Sequence, residues 1–245
     1  MGGHHSLIYS VPVTHNNLPN ETEVYRHYKT PEKLITNPPE GDIETIQDLL
    51  LFTKSFHGEN PCLGKRNKEG VFEFESYNVC LEKATWVGSG IINMGLAPGL
   101  KEFKDFDLKL FGIFSKNSVE YVLLDMAASL FGFTSVPIYD TLGQQAVNYI
   151  LDQTNVSTIF SSQANVDVLL KLDKFSGLKN VVCLDGFRED QKEKLKAHGL
   201  MTIEFSEVME NGKNNSLDYP DYSNETISTF SYTSGTTGDC FNNIK

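Results

Sequence analysis

Short apolar runs alternate with amphipathic helical segments through residues 108–205. Five runs have the length and the residue types of buried strands, namely 108–114, 134–138, 158–160, 180–184 and 201–205. Four segments between them carry apolar residues at helical spacing, at 118–130, 144–151, 164–172 and 189–197. Strands that alternate with helices through short connections form right-handed crossovers within a parallel sheet. The sequence therefore predicts an α/β fold with a mostly parallel sheet that is flanked by helices.

The residues before this region predict an arm and the start of a domain. Residues 1–41 are polar and contain several prolines, which favours an extended N-terminal arm, so the main domain is predicted to occupy 42–245. Thr45 is the predicted start of one helix. A short strand is predicted around Phe72, and Ser76 is the predicted cap of a helix that runs to about residue 94.

The residues after the alternating region predict a connection and one more strand. Residues 206–226 are polar and rich in Asn, which is typical of a surface connection. Residues 227–232 read as a strand that leads into the loop that follows.

Charge and cysteine content exclude several classes of function. The formal net charge is −11, and an acidic surface repels phosphate backbones, so broad nucleic-acid binding is not expected. The cysteines are far apart in the sequence and form no CxxC pair: Cys62, Cys80, Cys183 and Cys240. This spacing argues against a zinc site or a dithiol redox site, and it indicates small buried side chains in a reducing compartment.

The most specific motif is SYTSGTTG at residues 231–238, which combines five Ser or Thr residues with two glycines. Glycines let backbone N–H groups approach an anion closely, and small hydroxyl groups add hydrogen-bond donors. No Lys-Ser/Thr pair follows Gly238, so the motif differs from the GxxxxGK[ST] loop of the common nucleotide triphosphatases. On composition alone, a polyphosphate-binding loop and an ordinary surface loop are both compatible with this motif.

The motif resembles the signature of a large enzyme group. YTSGTTG is similar to the signature of the adenylate-forming superfamily, which includes acyl-CoA synthetases, luciferases and peptide-synthetase adenylation domains. Residues 111–162, which contain VPIYDTLG, closely resemble the long-chain acyl-CoA synthetases, and residues 64–96 are similar to the N-terminal region of those enzymes. The resemblance implies that the predicted sheet belongs to the N-terminal portion of a large adenylate-forming, AMP-binding domain.

The resemblance implies a ligase that activates long-chain fatty acids in two steps. A fatty carboxylate attacks the α-phosphate of ATP to give an acyl-adenylate and pyrophosphate, with Mg²⁺ assisting, and coenzyme A then displaces AMP. ATP, Mg²⁺ and coenzyme A are implied as co-substrates, none is expected to be tightly bound, and no metal site of the protein is expected. The resemblance also implies that six residues bind the phosphates of ATP: Thr233, Ser234, Gly235, Thr236, Thr237 and Gly238.

Tyr139 and Asp140 follow the predicted strand at 134–138. They are expected to shape the turn after this strand rather than to take part in catalysis.

The sequence departs from the family pattern after Gly238. Family members continue with a variable residue and then Pro-Lys-Gly, whereas Cys240, Phe241 and Asn242 stand at those positions here. Lys245 lies four positions beyond the place of the family's lysine and is not assigned its role. The catalytic residues of the family are therefore expected beyond residue 245, and 42–245 is interpreted as a partial AMP-dependent synthetase/ligase domain.

Two hypotheses about function stay open. The first is a long-chain fatty acid–CoA ligase by family, with long-chain fatty acid, ATP and coenzyme A as partners. The alternative is a catalytically inactive truncated form, or a gene-model fragment, that acts at most as a binding partner. The expected location is cytoplasmic and not secreted, with peripheral attachment to the endoplasmic reticulum or peroxisome membrane left open. Residues 1–6 fit a short N-myristoylation pattern that often occurs by chance.

Overall fold

A computed structural model of the protein describes residues 8–14, 19–35, 42–100 and 108–232. The chain divides into two compact units between Glu44 and Thr45. In the first unit, strands β1 (Ser10–Pro12) and β2 (Tyr25–His27) pair in an antiparallel hairpin. The division into an arm at 1–41 and a domain from residue 42 stays a prediction.

The second unit opens with a helix, a hairpin and a second helix: α1 (Ile46–His57), β3 (Pro61–Arg66), β4 (Phe72–Ser76) and α2 (Tyr77–Asn93). The predicted helix start at Thr45 is confirmed, because Thr45 and Asp48 form a capping box in which each side chain accepts from the other residue's backbone N–H. The predicted cap at Ser76 is also confirmed, since its hydroxyl accepts from Val79 N. Strand β3, which pairs antiparallel with β4, was not predicted.

The rest of the second unit is an alternating series of strands and helices. In chain order these are β5 (Leu110–Phe114), α3 (Val119–Phe131), β6 (Thr134–Ile138), α4 (Gln144–Thr154), β7 (Thr158–Ser161), α5 (Gln163–Leu169), β8 (Asn180–Cys183), α6 (Glu189–Ala197), β9 (Met201–Glu204) and α7 (Phe205–Asn214). The five strands form one sheet in the order β6-β5-β7-β8-β9, and every neighbouring pair is parallel. The predicted α/β fold with a parallel sheet flanked by helices is confirmed.

Each face of this sheet is covered by its own set of helices. Apolar residues of α2, α3 and α7 pack on one face, and those of α4, α5 and α6 pack on the other. Within β5, Phe111 and Ile113 point to the first face, whereas Leu110 and Phe114 point to the second. All five residues of β5 are buried, as expected for a central strand with helices on both sides.

The prediction of a surface connection at residues 206–226 is wrong over its first part, because α7 occupies Phe205–Asn214. Phe205 belongs to this helix and not to the strand that was predicted to end there. Beyond α7 the chain is held against the helices of the first face. Leu217 N donates to the Ser89 hydroxyl at 3.0 Å, and the hydroxyls of Tyr219 and Thr85 hydrogen bond at 2.8 Å.

The prediction of a regular strand at residues 227–232 is wrong. Among the described residues, this segment forms a single parallel bridge between Thr229 and Ser135 of β6. The segment nevertheless extends the sheet locally at its β6 edge.

None of the helices in the described ranges is both long enough and apolar enough to cross a membrane.

Candidate functional site

The six residues predicted to bind phosphate lie outside the described residues, whose last member is Tyr232: Thr233, Ser234, Gly235, Thr236, Thr237 and Gly238. The residues at which the sequence leaves the family pattern lie outside them too: Cys240, Phe241, Asn242 and Lys245. The structure does show the segment that leads into the predicted loop. The candidate site is therefore described through residues 227–232 and the sheet edge beside them.

Residues 227–230 are attached to β6 by both backbone and side-chain hydrogen bonds. The buried Thr134 hydroxyl donates to the carbonyl oxygen of Ile227 at 2.6 Å. Ser135 N donates to the carbonyl oxygen of residue 228 at 3.0 Å, and the Ser135 carbonyl accepts from the N–H of residue 230 at 2.9 Å. The chain therefore approaches the predicted loop from a fixed position beside β6, and runs in the same direction as that strand.

Tyr232 is the last described residue before the predicted loop, and it is buried. Its ring packs into the apolar cluster under α4, with 7% of its surface exposed. Its hydroxyl donates to Oε1 of Gln153, near the end of α4, at 3.0 Å. Burial, and to a smaller extent the neighbouring Tyr149, raises the pKa of Tyr232 to about 12, so the phenol is a hydrogen-bond donor at neutral pH.

The direction in which successive strands are added to the sheet reverses between β5 and β7. From β5 the chain first moves to β6 on one side, then crosses back through α4 to β7 on the other side. In open parallel sheets, ligands bind outside the carboxyl ends of the strands at such a reversal. The residues that follow β5 and β7 are therefore the second part of the candidate site.

The groups at this reversal hold the loops and helix starts in place. Ser118 accepts from Tyr121 N at 3.1 Å and caps α3, and Ser162 accepts from Asn165 N at 3.4 Å and caps α5. The Asn165 side chain is buried and donates to the carbonyl oxygen of Phe114 at 3.0 Å, which joins the end of β5 to α5. These contacts fix the loops at the carboxyl ends of β5 and β7, so the role of the three residues is structural.

A cluster of charged and polar side chains follows β8. Arg188 donates to Asp167 at 2.7 Å and to Asp190 at 3.0 Å, which links α5 to α6. The buried Gln191 donates to the carbonyl oxygen of Gln163 at 2.8 Å and to Asp167 at 2.9 Å. The hydrogen bonds from Arg188, and next from Gln191, hold the pKa of Asp167 below its ordinary value. Arg188 is engaged with both carboxylates, so the cluster acts as a link between helices.

The turn after β6 contains Tyr139 and Asp140, as predicted. The carbonyl oxygen of Tyr139 accepts from Leu142 N at 3.0 Å, which closes the turn. Asp140 lies 3.9 Å from the ammonium group of Lys116, which follows β5. Lys116 is largely exposed, so this ion pair adds little to stability.

Residues 73–240 match the family model of the AMP-binding enzymes. The chain belongs to the AMP-binding enzyme family. The matched region begins in β4, includes the whole parallel sheet and extends over the predicted phosphate-binding motif.

Curated relatives in this family match most of the chain. Fatty acyl-CoA synthetase B of Dictyostelium discoideum is 29% identical over 227 residues, which are 89% of this chain and 32% of that protein. The peroxisomal long chain acyl-CoA synthetase 7 of Arabidopsis thaliana is 27% identical over 221 residues, which are 88% of this chain and 30% of that protein. The chain thus spans about 30% of the length of these AMP-binding relatives.

Solved structures of adenylate-forming domains share the fold. The A-PCP didomain of carboxylic acid reductase from Segniliparus rugosus, in complex with AMP, superposes with a TM-score of 0.64 at 19% sequence identity. The superposition covers 82% of this chain and 31% of that one. At this level of identity the likeness shows the fold alone, and it confirms the predicted adenylate-forming fold class.

Sequence reasoning did not find the contact between Tyr232 and Gln153. In the sequence, Tyr232 stands out only as the first residue of the motif YTSGTTG, and Gln153 belongs to no motif. The two residues are 79 positions apart, and their contact depends on how the segment after α7 returns to the β6 edge.

Proposed function

We propose that the protein acts in the ATP-dependent activation of long-chain fatty acids to acyl-CoA. One observation carries this proposal: the AMP-binding family match at 73–240 includes both the doubly covered parallel sheet and the motif SYTSGTTG. The matching relatives, a fatty acyl-CoA synthetase and a long chain acyl-CoA synthetase, support the acyl substrate class.

The proposed reaction has two balanced steps. A carboxylate oxygen of the fatty acid attacks the α-phosphorus of ATP, and pyrophosphate leaves, which gives the acyl-adenylate. The thiol sulfur of coenzyme A then attacks the acyl carbonyl carbon, and AMP leaves as the thioester forms and the thiol proton is released. In this scheme the chain's own part is to hold the β- and γ-phosphates, a matter of positioning and charge stabilisation.

The loop residues proposed for this part are Thr233, Ser234, Gly235, Thr236, Thr237 and Gly238. Their hydroxyl and backbone N–H groups are donors suited to phosphate oxygens. The attachment of residues 227–230 to β6 supports the assignment, because a loop that binds an anion by geometry needs a fixed starting point.

We propose that Mg²⁺ binds together with ATP as a co-substrate, and we propose no separate metal-binding residues for this chain. Within the described part of the chain, no group of three or more His, Cys, Asp or Glu side chains is placed to hold a metal ion.

The domain assignment and the location are proposed with the function. Residues 42–245 are proposed as a partial AMP-dependent synthetase/ligase domain that follows an arm at 1–41. A cytoplasmic location is proposed, with peripheral contact to the endoplasmic reticulum or peroxisome membrane as the open alternatives. One relative is named as peroxisomal, which supports the second of these membranes. Cell fractionation with and without a carbonate wash tests this: a peripheral protein leaves the membrane fraction in the wash.

The test of the function uses the full 245-residue chain. ATP–pyrophosphate exchange is measured with and without palmitate, and ATP affinity is measured separately by titration calorimetry. Exchange that requires palmitate supports fatty acid activation by this chain. ATP binding without exchange supports the alternative of a non-catalytic binding form. Absence of both overturns the proposal.

Two matched variants locate the phosphate-binding residues. Thr233→Ala and Ser231→Ala each remove one hydroxyl group, and the two positions are only two residues apart. Ser231 is exposed and lies before the six proposed residues, so we expect Ser231→Ala to leave ATP affinity unchanged. Thr233→Ala is expected to weaken it about threefold to tenfold, the usual effect of one lost hydrogen bond.

A further inference from the structure

Two free cysteines of the second unit meet where the β3–β4 hairpin joins helix α2. Cys62 lies in β3, and Cys80 lies in the first turn of α2. Their thiols are adjacent and interact with each other. The spacing of the cysteines in the sequence gives no sign of this pair, because only the fold brings the two thiols together.

The register of the hairpin places Cys62 beside the start of α2. Ser76 pairs with the residue before Cys62, and Glu75 pairs with the residue after it, so Cys62 is the extra residue of a β-bulge. A bulge redirects the side chain of its extra residue. Ser76 is also the cap of α2, and Cys80 lies about one helical turn beyond it. The backbone therefore brings Cys62 to the helix turn that contains Cys80.

The side chain of Cys80 points back toward the hairpin. Its Sγ donates to the carbonyl oxygen of Glu75 at 4.0 Å and contacts the backbone of Leu63, which directly follows Cys62. Cys80 is fully buried, whereas Cys62 is partly exposed. The pair thus consists of one thiol that a small molecule can reach and a second thiol directly behind it.

We propose that Cys62 and Cys80 form a disulfide by exchange with a small-molecule disulfide such as oxidised glutathione, and that this bond joins the β3–β4 hairpin to α2. The modification site is independent of the ATP-dependent reaction proposed above. Disulfides in a reducing compartment are usually transient, so the bond is expected to be reversible.

The exchange has two balanced steps. The Cys62 thiolate attacks one sulfur of oxidised glutathione, the S–S bond breaks, and one glutathione thiolate leaves. The Cys80 thiolate then attacks the Cys62 sulfur of this mixed disulfide, and the second glutathione thiolate leaves. The two protons lost by the cysteines are taken up by the two glutathione thiolates. Two protein thiols are thereby oxidised, and one glutathione disulfide is reduced.

The surroundings of the pair make this exchange slow. Burial raises the pKa of Cys62 to about 12 and also raises the pKa of Cys80, so the reactive thiolates are scarce at neutral pH. Glu75 and Lys83 are the charged groups at the Cys80 thiol. They form an ion pair with each other and act on the pKa of Cys80 in opposite directions. We therefore expect the disulfide to form over hours.

The experiment treats the full chain, without denaturant, with oxidised glutathione at pH 8 until the modification of Cys62 is constant. Remaining thiols are alkylated after an acid quench, and non-reducing peptide mass spectrometry identifies the partner of each cysteine. In the wild type, the main product is expected to be the pair of peptides joined through Cys62 and Cys80. Reduction with dithiothreitol is expected to restore both thiols.

Three variants test the order of the two steps. In Cys80→Ala the second step has no thiol, so Cys62 is expected to keep its glutathione. In Cys62→Ser the accessible thiol is missing, and the buried Cys80 is expected to stay unmodified. Cys183→Ala is the control, since it removes a buried thiol on β8 and is expected to leave the Cys62–Cys80 bond at the wild-type yield. If Cys80→Ala does not fold, the wild type and Cys62→Ser decide.

The thermal midpoint tests whether the bond joins the hairpin to α2. The oxidised wild type is expected to unfold about 5 °C or more above the reduced chain, because the bond closes a loop in the unfolded state. The glutathione adduct of Cys80→Ala is expected to show no such rise. An unchanged or lower midpoint of the oxidised wild type overturns the proposal. A wild-type Cys62 that stays free, stops at the glutathione adduct or joins mainly to another cysteine overturns it too.

Discussion

Gly212 of α7 lies against the backbone of Trp86 in α2, so closely that a Cβ atom at residue 212 would be 1.7 Å from the Trp86 carbonyl oxygen. No side chain fits that space, since the obstructing atom belongs to a helix backbone. We predict that Gly212→Ala lowers the free energy of unfolding by about 2 kcal/mol or more, despite the better helix propensity of Ala. Urea denaturation of the variant and the wild type measures this difference.

The control for this change is Gly143→Ala. Gly143 precedes α4, has a negative φ of −69°, and a Cβ atom there would meet nothing within 4 Å. We expect a change of about 0.5 kcal/mol or less for this variant. Equal stability losses in the two variants would contradict the role of Gly212 in the contact between α2 and α7.

The composition of α7 explains why residues 206–226 were interpreted as a surface connection. Its packing face contains Phe205, Val208 and Gly212, and glycine adds close approach without adding a hydrophobic signal. Apart from Met209, which packs beside this face, the remaining residues are polar, so the segment has the composition of a surface connection. These apolar residues and Gly212 follow helical spacing, but only three of the ten residues have large apolar side chains, so the polar composition concealed the helix.

The parallel sheet could be predicted because each of its elements carries a local signal. Strand β5 is apolar over its whole length, and α3 begins at a capping Ser118 and presents one apolar face. For the candidate site, the motif predicts which residues bind phosphate, but it does not predict how the segment before them is attached to the sheet. The contact of Tyr232 with Gln153 and that of Thr134 with Ile227 arise only when distant segments fold together.

The hydroxyl of Thr134 provides a second prediction. It is buried, with 1% of the residue exposed, and donates to the Ile227 carbonyl oxygen at 2.6 Å. Thr134→Val keeps the shape of the side chain but leaves that carbonyl without its donor, so we expect the free energy of unfolding to fall by about 1–3 kcal/mol. Guanidinium denaturation measures the difference.

Thr229→Val is the matched control for Thr134→Val. The Thr229 hydroxyl donates to the Ser135 carbonyl at 3.1 Å, in the same segment, but Thr229 is exposed. Water can replace this donor, so the expected loss is below about 1 kcal/mol. A larger loss for Thr229→Val than for Thr134→Val would contradict the importance of burial at this edge of the sheet.

The link between α5 and α6 leads to a prediction about acid pH. Hydrogen bonds from Arg188 lower the pKa of Asp167, so the ionised carboxylate is favoured in the folded state. This contribution to stability is present above the ordinary pKa of Asp, 3.8, and is lost as the pH falls through the lower folded value. We predict that Arg188→Gln raises the pKa of Asp167, which carbon-detected NMR titration of the carboxyl groups measures.

Lys194→Gln is the control for this titration. Lys194 donates to Asp190 at 2.9 Å and, with Arg188, lowers the pKa of that carboxyl group. We expect Lys194→Gln to raise the pKa of Asp190 while that of Asp167 stays near its wild-type value. An unchanged pKa of Asp167 in Arg188→Gln would contradict the link.

The partly buried thiol of Cys62 and the buried thiol of Cys183 predict a loss of stability at alkaline pH. Burial raises the pKa of Cys62 from 9.0 to about 12, with a smaller effect from the adjacent Cys80 thiol, and burial raises that of Cys183 to about 12 as well. In the unfolded chain these thiols ionise near pH 9, so protons leave the unfolded state first. The stability contributed by the protonated thiols is therefore complete below pH 9 and is lost as the pH rises through about 12.

Because the thiolate is the reactive form, the same shift predicts slow alkylation of the folded protein. With iodoacetamide at pH 8, Cys62 and Cys183 are expected to react at least about tenfold more slowly in the folded chain than in urea, as follows from the smaller thiolate fraction. Peptide mass spectrometry follows each thiol separately, and an unfolded sample supplies the reference rates. Equal rates for Cys183 in the folded and unfolded chain would show that its thiol is open to solvent, against its position on β8 under the helices of the second face.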